Sequence, residues 1–209
     1  MVRVLAVADE EVLALESRAR ATEVDLVVSA GDLPWDYLER VVDLVDAPAV
    51  FVPGNHEPLD RGPAPRGMRS ADQQVLEVAG LRIAGLGGCV RYNGGPHQHT
   101  QAEYTRRAAR VVERAGGAGV DLLLTHAPPL GLGDEPDPSH VGIGALHGLT
   151  ETLDPAWLLH GHIHPYGMHK PDRRLGRTTV RNVIPWQVVD VEPRSLAALD
   201  SARTKEQRW

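Results

Sequence analysis

Five stretches of the chain end in side chains that bind metal ions or move protons: Asp9 with Glu11, Asp32, Asn55 with His56, His126, and His162 with His164. Each follows a short apolar run, at 2–8, 24–30, 49–52, 120–125 and 156–160. Singly, each has an ordinary explanation: an Asp caps a helix, an Asn sits in a turn, a His is satisfied in a core. Together they form a pattern, because the carboxyl ends of parallel strands share one edge and sites form along it. The donors are oxygen and nitrogen without thiolate, a set that suits divalent Mn, Fe, Co, Ni or Zn. They are too many for one ion. A bridging carboxylate can hold two cations about 3.5–4 Å apart, and such a pair activates a water while clamping a phosphoryl oxygen. The chemistry indicated is hydrolysis of a phosphate ester.

Positioning these residues needs strands that alternate with helices. The β-branched runs supply the strands, and the alternation is that of βαβ units around a largely parallel sheet. Leu38, Val41, Val42 and Val45 recur at helical spacing, as do Tyr104, Ala108, Val111, Val112 and Ala115, so each segment predicts a helix with one apolar face. Residues 74–88 read as a hairpin about an Ala-Gly turn. Segments 177–183 and 186–193 read as further strands of antiparallel type. The expected fold class is α/β: a four-layer αββα sandwich of two mixed sheets flanked by helices. Loops 58–72 and 127–144 are rich in Pro and Gly, and long loops in a compact domain are usually functional or mobile. Neither an internal repeat nor a linker is visible, so residues 1–193 read as one domain and 194–209 as a polar tail that frays or forms a terminal helix.

Composition narrows the function classes. The 209 residues are 42% apolar and 24% charged, as in an ordinary globular protein, and no apolar stretch approaches the roughly 18 residues of a membrane span. The start, MVRVLAVADEE, runs directly into a strand pattern without the sections of a signal peptide, so a cytoplasmic location is expected. Cys89 is the single cysteine, which excludes an internal disulfide framework and a Cys-based zinc site. A net charge of −6 gives no general attraction to nucleic acid or anionic membrane.

The ordered set DEE (9–11), GD (31–32), GNHE (54–57), THAPP (125–129) and GHIH (161–164) resembles the calcineurin-like metallophosphoesterase family. The resemblance implies an αββα sandwich and two divalent ions; Mn²⁺ is expected ahead of Fe, Ni, Co or Zn because Glu11, read as a ligand, adds an oxygen donor. It implies that Asp9 and His164 bind the first metal, that Asp32 bridges, and that Asn55, His126 and His162 bind the second. It further implies that a hydroxide held between the metals attacks phosphorus, while His56 contacts the phosphate and protonates the leaving alkoxide. The expected substrate is a small soluble phosphoester such as a nucleotide, monoester or diester, without membrane or nucleic-acid partners.

The chain departs from the family at Glu11, where the family usually has His. Glu11 reads as a substitute oxygen ligand; the other reading is a solvated residue at a helix start, favoured by the helix dipole. A metal-poor interaction scaffold of the same fold and a nuclease are the alternative functions. Among the other histidines, His97, His99, His147 and His169 are expected at the surface, His160 beside the cluster, and His140 within reach of substrate. Arg91 and Tyr92 follow the turn GLGG and could reach a phosphate or stack on a base; a solvated Arg91 is as plausible.

Overall fold

The computed structural model describes residues 1–12, 15, 23–57, 64–168 and 170–194. The expected tail from 195 onward, His169 and the first part of loop 58–72 lie outside these residues. Strands β1 (Val2–Val7), β2 (Leu26–Ser29), β3 (Ala49–Phe51) and β4 (Met68–Ser70) run parallel, and β13 (Trp186–Val191) pairs antiparallel with β1, giving the order β13-β1-β2-β3-β4. The second sheet has the order β11-β12-β10-β9-β6-β5, where β5 is Val75–Val78, β6 Leu81–Leu86, β9 Leu122–Thr125, β10 Trp157–His160, β11 Arg173–Leu175 and β12 Thr178–Asn182. A parallel pair, β7 (Cys89–Val90) and β8 (Gln98–His99), stands apart.

Burial defines the layers. Val4, Ala6, Val28 and Val50 from one sheet meet Ile83, Leu122, Leu124 and Leu159 from the other in a core between the sheets. Helix α1 (Trp35–Val45) buries Tyr37, Leu38 and Val41 on the outer face of the first sheet, among Leu5, Val27 and Phe51. Helices α2 (Gln101–Ala115) and α3 (Ala145–Leu153) cover the second sheet through Tyr104, Val111, Leu146 and Leu149. The result is the expected sandwich of two mixed sheets flanked by helices. Each fully buried Leu or Val contributes roughly 1.5–3 kcal/mol, so the three apolar layers dominate its stability. Helix α2 is also closed at both ends: Thr100 and Glu103 form a reciprocal capping box, and Gly116 ends the helix in the left-handed conformation.

One local expectation changes, and one helix was not foreseen. Strand β12 is antiparallel to β11 but parallel to β10, because it is the partner reached by a crossover, and that partner is not encoded in its own residues. Helix α3 occupies the segment after what read as loop 127–144; its nine residues include Gly148 and two threonines, too short and mixed for a clear period.

Registers place the strand ends together. Val7 pairs with Ser29 and Ser29 with Phe51, while Leu86 pairs with Thr125 and Leu159 with Leu124. The residues immediately beyond these positions form one edge of the sandwich.

Candidate metal centre

Three residues at that edge hold a backbone conformation uncommon outside glycine: φ is 61° at Asp9, 57° at Asp32 and 68° at His162. Asp and His tolerate this region better than most residues, but it still costs on the order of 1–3 kcal/mol each and persists where the surroundings enforce it. The turns it creates end the strand alternation and swing the side chains over the edge. The motif glycines leave room for them. A side chain at Gly54 would collide with the Asp32 carboxylate, and one at Gly161 with that of Asp9. The GN and GH pairs are thus clearances as much as turns.

His126 anchors one half of the centre. It is fully buried, and its Nδ1 lies 2.7 Å from the Ala30 carbonyl, an acceptor only, so Nδ1 carries a proton. Its Nε2 then faces Asn55 Oδ1 at 3.0 Å and Asp32 Oδ2 at 3.2 Å. Burial opposes a charge on this ring, but the Asp32 and Asp9 carboxylates outweigh it and push the pKa up to about 9. Asp32 is held low despite burial, by the His126 charge and by its bonds to His126 and the His56 backbone. A proton on Nε2 therefore stands among three donor atoms, one nitrogen and two oxygens, that also suit a divalent cation.

The other half is looser. Asp9 accepts from the His162 backbone N–H at 3.0 and 3.2 Å. Burial, and then Asp32, raise its pKa to about 6 against the pull of His126. Asp9, Asp32 and His126 offer ligand atoms within 4.8 Å of one another. Two buried carboxylates this close repel each other, and a cation would relieve the repulsion. His162 uses Nε2 on the Ser139 carbonyl at 2.8 Å, which leaves Nδ1 as its free nitrogen. Burial and the nearby His126 charge push its pKa down to about 3, keeping the ring neutral as a ligand must be. His164 is 35% exposed; its Nε2 is 3.9 Å from Asp9 Oδ1 and its Nδ1 is 3.0 Å from Glu10 Oε1.

The structure does not bring Glu11 to this cluster. Its side chain is 44% exposed and faces Arg40 at 3.6 Å. Glu10 is the neighbour that turns toward the centre, by way of His164. Metal-ligating histidines commonly donate their other nitrogen to such a carboxylate, which fixes the ring and raises its basicity. The left-handed turn at Asp9, with Glu10 N–H bonded to Ala8 O at 2.7 Å, is what reverses the two glutamates.

A cavity of about 220 Å³ opens over the cluster, lined also by His56, Tyr92, Ser139 and His140. His56 stands exposed at its rim, and its backbone N–H holds Asp32 Oδ1 at 2.8 Å. Tyr92 places its hydroxyl 3.4 Å from Asn55 Nδ2, consistent with Asn55 Oδ1 pointing inward. Glu57 was not foreseen as part of the site: buried beneath Asp32, it accepts the Asp32 N–H at 3.1 Å, and burial raises its pKa to about 7. Its only sequence signal was the fourth place in GNHE. His140 does meet the cavity, whereas Arg91 turns away to Glu103 at 3.0 Å. His160 is buried beside the cluster, with Nδ1 on Gly161 O at 2.9 Å. His97, His99 and His147 are half-buried rather than at the surface; His99 packs edge-on against Tyr104, and His147 reaches Leu130 O at 2.8 Å.

The sandwich of two mixed sheets thus gathers carboxylate, amide and imidazole donors along one strand edge. The sequence profile described as calcineurin-like phosphoesterase matches residues 7–166, and the chain belongs to that family. One solved structure aligns with a TM-score of 0.64 at 16% identity, over 92% of this chain and 99% of that chain. TT1561 of Thermus thermophilus aligns with a TM-score of 0.61 at 18% identity, over 87% and 88%. Vacuolar Protein Sorting 29 from Cryptosporidium parvum reaches 0.46 at 16% identity, over 87% and 73%. At these identities the likeness is one of fold. No curated protein matches the chain in sequence. Among the described residues no helix is long and apolar enough to cross a membrane.

Proposed function

We propose that the protein is a phosphoester hydrolase that uses two divalent ions, drawn from Mn, Fe, Co, Ni or Zn, which suit three oxygen donors (Asp9, Asp32, Asn55) beside three nitrogen donors (His126, His162, His164). Asp9 and His164 would hold the first ion, Asn55, His126 and His162 the second, and Asp32 would serve both. Glu11 is left out of this set. When bound, such a pair supplies an acidified water and positive charge against the phosphoryl oxygens.

The chain's own residues do the rest. His56, at the cavity rim, donates a proton to the departing alkoxide, as an imidazole can near neutral pH. Asp32 keeps His56 in place through its backbone N–H. Glu10 fixes the His164 ring, and Ser139 fixes that of His162. The observation that carries the reading is the convergence of Asp9, Asp32 and His126 in one buried group, under a cavity that His56 borders.

The test is metal analysis of protein purified without chelator, followed by assays with Mn, Ni, Co, Zn and Mg on phosphomonoesters, linear phosphodiesters and cyclic nucleotides. Turnover that depends on added metal supports the proposal. Absence of both bound metal and turnover across the panel would move the protein to the interaction-scaffold reading.

A further inference from the structure

A second and larger cavity, about 590 Å³, lies on the same edge of the sandwich. No described residue lines both cavities, but the walls of this one are tied to the candidate centre by sequence and by hydrogen bonds. Pro165 follows His164 directly, the Pro185 carbonyl accepts the Ala8 N–H at 3.1 Å one residue before Asp9, and Asn182 Nδ2 donates to Ile163 O at 2.7 Å between the two GHIH histidines. Lys170, in the wall, binds Glu135 at 3.1 Å, and Glu135 belongs to the loop whose Ser139 and His140 line the smaller cavity.

Sheet order fixes which side it occupies. In the order β13-β1-β2-β3-β4, His56 follows β3, whereas the cavity is walled by the start of β13, beyond β1. In the other sheet it is walled by the end of β12, on the far side of β10 from β9 and β6. The Asp9–Asp32 centre therefore separates it from His56. A leaving group protonated by His56 departs on the opposite flank, so this cavity faces a substituent that stays on phosphorus.

Its chemistry selects an uncharged substituent. Arg181 is held by Asp172 at 2.8 and 2.6 Å and Lys170 by Glu135, so both cations are already neutralised. The Asn182 amide is used on both sides, through Ile163 O and Ile184 N. The Gln187 amide forms no hydrogen bond among the described residues and is left to recognise a ligand. Pro165, Pro185 and the 66% exposed Met168 offer apolar contact. The volume falls within the range of small-molecule sites.

We infer that this cavity holds the retained organic group of a phosphodiester, an uncharged moiety with apolar faces and a hydrogen-bonding edge such as a nucleoside. The inference rests on the phosphoester-hydrolase reading and adds to it a preference for diesters.

The experiment titrates Mn²⁺-loaded protein with thymidine 5′-phosphate and with inorganic phosphate, by calorimetry, for the natural chain, Gln187→Trp and Gln187→Ala. The expected result is that the nucleotide binds at least about tenfold tighter than phosphate, a difference within reach of one well-formed pocket. Gln187→Trp, which fills the cavity, removes that advantage, and Gln187→Ala reduces it; unchanged phosphate affinity in both shows that fold and centre are intact. Equal affinity for the two ligands in the natural chain overturns the inference, as does an advantage that survives Gln187→Trp. Both readouts are binding constants, so a protein that hydrolyses nothing fails the functional reading alone, while one that hydrolyses esters without discriminating these ligands fails this inference alone.

Discussion

The two halves of the candidate centre differ in how much is already assembled. Asp32 and Asn55 are buried and both lie within hydrogen-bond reach of the buried His126 Nε2, whereas His164 is 35% exposed and its Nε2 is 3.9 Å from Asp9. In the buried half a proton on His126 stands in the position a cation would take; in the open half nothing equivalent draws His164 to Asp9. The lesson is that one half needs only to exchange a proton for a metal, and the other must also be pulled together. The ion at Asn55, His126 and His162 should therefore be the tighter of the two.

The largest effect expected is that of Asp32→Ala, which removes the carboxylate common to both halves: neither ion should be retained and turnover should fall below detection. Metal analysis after gel filtration reads this directly, and a variant that keeps one ion would show that the halves are independent. His56→Ala leaves both halves untouched, so the ions should remain while turnover falls by about 10²–10⁴, the usual range for a lost general acid. The loss should shrink on nitrophenyl esters, whose leaving group hardly needs a proton. Glu10→Gln acts on the open half alone. It should weaken the first ion by about 10–100-fold, the usual effect of losing such a supporting carboxylate, and leave the second unchanged. Equal weakening of both ions in a titration would erase the distinction between the halves.

The pH response separates them further. The folded pKa of His126 is near 9, above its ordinary 6.5, so the metal-free folded chain binds a proton that the unfolded chain releases. That contribution to stability is complete below 6.5 and is lost as pH rises toward 9. Asp9 and Glu57 have the same sign at lower pH, with folded values near 6 and 7. Thermal unfolding of metal-free protein should thus show stability declining across pH 6.5–9, and added Mn²⁺ should offset the decline because it replaces the proton. The smallest effect belongs to Glu11→Gln: an exposed carboxylate facing Arg40 should change metal affinity and stability by no more than about twofold in either equilibrium. A selective loss of the first ion in this variant would restore Glu11 as a ligand.

Much of this arrangement was legible in residue order. Strand runs predicted β1, β2, β3, β9 and β10, and their ends predicted which segments meet, because the carboxyl edge of a parallel sheet is common to all its strands. What failed was orientation within a turn. Alternation along β1 ends at the left-handed Asp9, so spacing from the strand could not say which of Glu10 and Glu11 faces inward. Pairing partners also escaped: nothing in residues 177–183 reveals that β12 lies parallel to β10. Glu57 was hidden for a third reason, since a carboxylate that serves one backbone N–H looks the same in sequence as one on the surface.

The crowding around Gly54 and Gly161 has a consequence for redesign. Anyone seeking a different metal preference would vary Asn55, His126 and His164, candidate donors whose backbone lies outside the left-handed region that constrains Asp9, Asp32 and His162. The two glycines offer no such freedom. Adding a single methyl group at either would push directly on the Asp32 or Asp9 carboxylate, so a combinatorial library should hold them constant and place its diversity on the candidate donors and on the cavity rim.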